Sequence, residues 1–273
     1  MPTQHEKAEQ LRALHEGPRA FVIANAWDAG SARILAGLGY SALATSSGAA
    51  AGVLGRRDGR ITRDEALAGC RAIVAATELP VIADLENGFG HSPGEVAETI
   101  RLAAATGLVG GSIEDATGNP DKPLYDFAES VERVAAAVAA ARSLPFHFTL
   151  SARCENFLRG NPNLEDTIAR LRAYEQAGAD VLFAPALPDL ACVRLVCSAL
   201  EKPVNFMVGI RGMSFTVAEL EQAGVRRISL ASSLWRAAMG GLVEAAREAK
   251  EQGTFTYLDR MAASASVGKF MQP

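Results

Sequence analysis

Histidine and cysteine are scarce in this 273-residue chain, with four of each. His5, His15, His91 and His147 fall in no metal-ligand pattern. Cys70, Cys154, Cys192 and Cys197 have neither zinc-type spacing nor the density of a small secreted domain. Zinc is thereby disfavoured, and reduced thiols of a cytoplasmic protein are the expectation. No apolar run approaches the 20 or so residues that cross a bilayer, and the opening MPTQHEKAEQ lacks the apolar core of a signal peptide. There is no basic run with interleaved aromatics, and the formal net charge is -4, so neither nucleic acid nor membrane is an expected partner. The G-K-[ST] and GxGxxG spacings are also missing, which removes a Walker loop and a dinucleotide fingerprint. What remains is 49% hydrophobic and 21% charged, a makeup that supports one large globular core.

Short β-rich runs alternate with helical segments along this core. The runs are 20–25, 41–46, 80–86, 109–115, 146–153, 180–185, 203–208 and 227–232. Most are continuously apolar, as parallel strands covered on both faces are. Ala-rich amphipathic segments lie between them at 62–77, 92–106, 128–142 and 163–178. Ser92-Pro93 with Glu95 is a helix start, and Gly178 a helix stop. Eight such units predict a (β/α)8 barrel over residues 1–253, with a doubly wound sheet as the alternative. Residues 254–273 fall after the eighth unit and form an extra, helical element.

In a (β/α)8 barrel the functional side chains sit at the C-terminal ends of the strands. The runs end in Asn25 to Asp28, Thr45-Ser46-Ser47, Asp84-Leu85-Glu86, Glu114-Asp115 and Arg153-Cys154-Glu155, with Asn205 on the seventh and Ser229 on the eighth. Period-two spacing predicts that Asp84 and Glu86 share one face. Asp58, Asp84, Glu86 and Glu114 form an oxygen-rich set suited to Mg²⁺, or Mn²⁺ in its place, an ion that keeps several waters and takes one or two carboxylates directly. Arg153 would complete the charge balance and bind an anionic substrate. The competing reading is a plain Asp84–Arg153 salt bridge. TSSGAAAG at 45–52 offers hydroxyls and N–H groups for a carboxylate or phosphate. Cys154, out of phase with Arg153, is expected in the core.

NAWDAGSARILAGLGY, TSSGAAAGVLGRRDG, VIADLENGFG, SIEDATG and LSARCENF, in this order, resemble the isocitrate lyase/phosphoenolpyruvate mutase superfamily over about residues 20 to 250. The resemblance implies a (β/α)8 barrel, a homo-oligomer (dimer or tetramer) with an exchanged C-terminal helix, and Mg²⁺ chemistry on small 2-oxo or 2-hydroxy acids through an enolate-type intermediate. It implies Asp84 as direct metal carboxylate, and Asp58, Glu86 and Glu114 as the water-mediated shell. Thr45, Ser46 and Ser47 match the loop that grips the substrate carboxylate, and Arg153 the substrate arginine; Asn205 is a further substrate-binding candidate.

The departures narrow the reaction. Isocitrate and methylisocitrate lyases carry Lys-(Lys/Arg)-Cys-Gly-His on the loop after the fourth strand, where this chain has ATGNPDKPLYDF (116–127). Lys122 stands where the lyases' cysteine would be, and Tyr125 follows; both are candidate acid groups. The lyases' glutamate on the sixth strand is also absent. The expected activity is therefore a Mg²⁺-dependent lyase or decarboxylase of a small 2-oxo or 2-hydroxy dicarboxylate, and not a standard isocitrate or methylisocitrate lyase. P–C chemistry on phosphonopyruvate or phosphoenolpyruvate is the alternative within the superfamily, and a non-catalytic 2-oxo acid binder is the alternative outside catalysis.

Overall fold

The computed structural model describes residues 2–271, and each of the eight apolar runs becomes a parallel strand. They are β1 (Phe21–Asn25), β2 (Leu43–Ala44), β3 (Val81–Asp84) and β4 (Gly110–Glu114), then, after a small antiparallel hairpin of β5 (Ala116–Asn119) and β6 (Lys122–Leu124), β7 (Thr149–Arg153), β8 (Val181–Phe183), β9 (Val204–Met207) and β10 (Arg227–Ser229). Strand order β1-β10-β9-β8-β7-β4-β3-β2 closes the barrel, so the doubly wound alternative is excluded. Close strand packing explains the paired glycines of β4. A Cβ at Gly110 would lie 2.6 Å from the Thr149 carbonyl, and one at Gly111 2.7 Å from Leu85 Cδ1.

The expected helices form where the capping signals lie. Thr62 with Glu65 opens α4 (Arg63–Ala76), and Ser92 with Glu95 opens α5 (Pro93–Ala104), both as complete capping boxes. Helix α6 (Phe127–Arg142) and helix α7 (Leu164–Gln176) follow, the latter capped by Asn163. Gly178 after α7 has φ +103°, a conformation open to glycine at little cost. Cys154 is buried in the core between barrel and helices, as its strand phase predicts.

The polar opening also folds: Thr3 and Glu6 make a capping box for α1 (Gln4–Glu16), which closes the N-terminal end of the barrel. Its His15 is buried, with Nδ1 2.9 Å from the Leu11 carbonyl. Burial, then the charge of Arg227, pulls His15 from its ordinary 6.5 down to about 3. The folded state therefore resists a proton that the unfolded chain accepts below about pH 6.5. Stability is full above that pH and falls on acidification towards pH 3, by up to about 1.4 kcal/mol per pH unit from this group. His15→Gln is expected to flatten that part of the slope in urea unfolding at pH 7 and pH 5; equal slopes would count against it.

At the far end, α10 (Ser233–Arg247) is followed by a turn of π-helix, a 3₁₀ turn at Thr256–Asp259 and a short helix, α11 (Ser264–Gly268). The expected helical extension is thus present, with its last two residues outside the described region. Phe270 lies in the space beside Gly37 of α2 (Ala29–Gly37), where a Cβ would collide with its ring. No helix among the described residues is long and apolar enough to cross a membrane.

Candidate active site

The C-terminal ends of the strands converge on a cavity of about 230 Å³. Ser46, Ser47, Asp58, Asp84 and Arg153 border it, with Ser112, Asn205, Arg227 and Ser229 deeper in. Asp84 ends β3. Its Oδ2 accepts the Ser47 N–H at 3.2 Å and its Oδ1 accepts the Glu86 N–H at 3.2 Å. The Asp84 N–H donates to Thr45 Oγ1 at 3.1 Å, so Thr45 holds the strand end in place while lining the cavity. Ser46 caps α3 (Ser47–Val53) by accepting the Ala49 N–H. Gly48 leaves room for Asp58, whose Oδ2 would lie 3.3 Å from a Cβ there.

Glu86 reaches Asp84 by a route different from the expected one. β3 stops at Asp84, and Glu86 has φ +50°, so strand alternation does not apply to it. The turn, not the pleat, brings the two acids to the same wall. Left-handed backbone at a non-glycine residue is uncommon and concentrates at functional sites. Gly88 follows with φ +89°, whereas Gly90 answers a spatial demand, since a Cβ there would lie 2.5 Å from Glu95 Cβ.

The charges explain what this wall is suited to hold. Burial, then Asp84 and Asp58, push Glu86 up to about 7, and its Oε1 is buried without a hydrogen-bond partner. Acids that crowd one another, with an orphaned oxygen among them, fit a divalent cation. Among the described residues no three His, Cys, Asp or Glu side chains converge into a ready ligand set. An ion held here would rest on one or two of these carboxylates and on water, as Mg²⁺ can.

Beside them runs a closed ring of alternating charge. Arg153 Nη1 lies 3.2 Å from Glu114 Oε2, whose Oε1 lies 3.2 Å from Arg159 Nη2. Arg159 Nε donates to Glu155 Oε2 at 3.0 Å, and Glu155 Oε1 returns to Arg153 Nε. Asp84 Oδ2 is 3.9 Å from Arg153, a weaker contact than either partner in the ring. Burial alone would depress Arg153, but Glu114, Glu155 and Asp84 together raise it above its ordinary value. Burial pushes the Glu114 carboxyl up, and the two arginines oppose it. Asp115 faces the other way, accepting from the Glu155 N–H, Arg170 and Tyr174, and so fixes the backbone from which Glu155 turns inward.

Residues 11–250 of this barrel match the sequence model of the phosphoenolpyruvate phosphomutase family. The chain belongs to that family. Its fold and neighbours place it in the isocitrate lyase/phosphoenolpyruvate mutase superfamily of enzymes. It is 32% identical over 243 residues to a 2-methylisocitrate lyase of Salmonella typhimurium, spanning 85% of this chain and 81% of that one. It is 31% identical over 205 residues to an oxaloacetate decarboxylase of Bradyrhizobium diazoefficiens, spanning 72% and 69%. A solved structure from Burkholderia cenocepacia J2315, described only as a lyase/mutase, is 52% identical with a TM-score of 0.96, covering 98% of this chain and 96% of its own.

Glu86 and Glu114 line the cleft beside the cavity, with Asp58 and Arg153, and two further candidate residues of this family member, Lys122 and Tyr125, line neither. Lys122, on β6, is exposed and paired with Asp126 at 2.8 Å and Glu129 at 3.8 Å. Tyr125 is buried, its hydroxyl 2.6 Å from His91 Nδ1. Arg133, itself buried, lies 4.0 Å over the Tyr125 ring and donates to the carbonyls of Asn87, Gly90 and His91. It thereby clamps the loop that carries Glu86. A lysine cannot fork to three carbonyls. Arg133→Lys is expected to cost about 3 kcal/mol and lower Tm by roughly 6–12 °C in thermal unfolding; an unchanged Tm would refute the clamp. Sequence reasoning assigned no role to Glu155, Arg159 or Arg227. Glu155 was within reach, since it stands two residues after Arg153.

Proposed function

We propose that this family member is a Mg²⁺-dependent lyase or decarboxylase of a small 2-oxo or 2-hydroxy dicarboxylic acid. The observation that carries the reading is the group of Asp84, Glu86 and Asp58 with its orphaned Glu86 oxygen: Asp84 and Asp58 border, with Arg153, a cavity sized for a small acid, and Glu86 lines the cleft that adjoins it. Asp84 would hold the ion directly, with Asp58, Glu86 and Glu114 holding its waters. Mg²⁺ so bound supplies polarisation of the substrate's 2-oxygen. Arg153 binds and orients the adjoining carboxylate, with Ser46 and Ser47 alongside, and its fixed charge faces the negative charge that grows as the carbon fragment leaves. A proton then comes from solvent.

The absence of Cys and His from 116–127 argues against a standard methylisocitrate lyase, although a relative with that name is 32% identical. The decisive assay incubates the protein and Mg²⁺ with oxaloacetate, malates and 2-methylisocitrate, following CO₂, pyruvate and glyoxylate. Metal-dependent cleavage that chelator abolishes is expected. Phosphate release from phosphonopyruvate, or ³¹P exchange with phosphoenolpyruvate, would instead support P–C chemistry. Lys122 and Tyr125 are engaged away from the cavity, which favours a second reading: binding of 2-oxo acids without turnover, seen as Mg²⁺-dependent affinity with no product.

The reading extends to assembly and location. Helix α10 buries no residue in this chain, and Leu242, Val243, Phe255, Leu258 and Met261 are exposed on it and on the tail beyond. Apolar surface of this kind supports a homo-oligomer, dimer or tetramer, with the tail as a contact; sedimentation as a monomer at micromolar concentration would refute it. Four free cysteines accord with the cytoplasm.

A further inference from the structure

Below Asp84 and Arg153 the barrel interior departs from the branched apolar layers usual for this fold. At its deep end lies Arg227, the first residue of β10, only 3% exposed. No ion pair among the described residues involves it, and its donors go to neutral acceptors. Nε donates to Asn205 Oδ1 at 2.8 Å, Nη2 to Ser151 Oγ at 2.8 Å, and Nη1 meets His15 Nε2 at 3.4 Å. The His15 contact is of defined polarity. Nδ1 faces the Leu11 carbonyl, which can only accept, so Nδ1 carries the proton and Nε2 offers its lone pair to the guanidinium.

An arginine donates and never accepts. Asn205 is therefore held with Oδ1 towards Arg227 and Nδ2 towards Ser229 Oγ, 3.0 Å away. Ser229, having accepted from Asn205, keeps its own proton to give. The second Nδ2 proton of Asn205 is likewise free, and both residues border the cavity. The floor thus presents donors above a buried cation that has no carboxylate of its own, while the mouth carries the acids. A group that supplies negative charge at that depth would be stabilised twice, by the donors and by the charge beneath.

We propose that Arg227 is a positioning residue that fixes Asn205 and Ser229 as donors towards the cavity, making its floor the receptor for the second carboxylate of the substrate. The inference rests on the dicarboxylic acid reading above. Malate and lactate share a 2-hydroxy acid head and differ by the distal carboxylate, so the ratio of their affinities isolates the floor. It is measured by calorimetric titration with Mg²⁺ present, in wild type, Arg227→Gln and Asn205→Asp. Wild type is expected to prefer malate. In Arg227→Gln that preference falls about ten- to hundredfold with lactate affinity unchanged. For a dicarboxylate that is turned over, KM rises by the same factor while kcat stays within about twofold. Asn205→Asp keeps the shape and gives Arg227 a carboxylate partner, so it decides the matter even if Arg227→Gln does not fold; it is expected to lose the malate preference. A preference unchanged in the folded variants overturns the inference and leaves the proposed function standing. Equal wild-type affinity for the two acids also overturns it, and binding of neither malate, lactate, oxaloacetate nor 2-methylisocitrate overturns the proposed function with it.

Discussion

Asp84→Asn is expected to remove metal-dependent turnover while leaving the barrel folded. The side chain sits where β3 ends, and two backbone N–H groups, from Ser47 and Glu86, fix its oxygens. Asparagine keeps the shape and one acceptor oxygen, so one of the two N–H groups loses its partner at a cost of about 1–3 kcal/mol, which a barrel of this size absorbs. What disappears is the negative charge at the one acid that the wall holds rigidly from both sides. A hard divalent cation binds anionic oxygen, so if Asp84 is its direct carboxylate, as proposed, the loss removes several kcal/mol of charge stabilisation. Each 1.36 kcal/mol is tenfold in rate, so a fall of about 10³ or more in turnover follows. A readout independent of activity accompanies it. Mg²⁺ is expected to raise the Tm of the wild-type protein, because an ion that binds only the folded state stabilises it by mass action, and to leave the Asp84→Asn variant unmoved. Full activity of that variant in chelator would sink both the metal assignment and the role of Asp84.

The barrel was legible because each of its units carries two independent signals. A buried parallel strand reads as a continuous apolar run, and the next helix opens on a Ser or Thr three residues before a Glu, as at Thr62–Glu65 and Ser92–Glu95. Asp84 and Arg153 follow from the barrel rule alone. Glu86 does not, since its placement depends on a left-handed turn that strand periodicity cannot express. Helix α1 was hidden in a polar segment of low hydrophobicity, although Thr3 and Glu6 repeat the same capping signal. The β5–β6 hairpin was hidden by its composition, with four polar residues, a glycine and a proline in ATGNPDK. Arg159 is harder still. It enters from the loop after β7 and pairs with Glu114 across 45 residues of sequence, a contact that only the closed barrel creates.

Arg153→Ala is expected to cost about 3–5 kcal/mol, with a Tm fall of roughly 6–20 °C, more than a role in substrate binding alone would exact. In the folded protein Glu155 is fully buried, and the Glu114 side chain is 10% exposed. Both lean on the same guanidinium, and Asp84 lies 3.9 Å from it. Without it three acids face one another with only Arg159, itself 40% exposed, to answer them. Breaking a buried pair from one side is the costly change, whereas removing both sides costs much less. Arg153→Met combined with Glu155→Gln should therefore be more stable than the sum of the two single losses, by about 1 kcal/mol or more of coupling. Arg153→Lys separates the two contributions of the arginine. It keeps the charge, which retains much of the stability, but loses the fork that meets Glu114 through Nη1 and Glu155 through Nε. Activity is expected to fall steeply in Arg153→Lys while Tm falls little. Urea unfolding of wild type and these variants tests the ring: an Arg153→Ala variant within about 1 kcal/mol of wild type would show that these charges behave as solvated surface pairs. The ring would then have no part in holding the site's arginine in place.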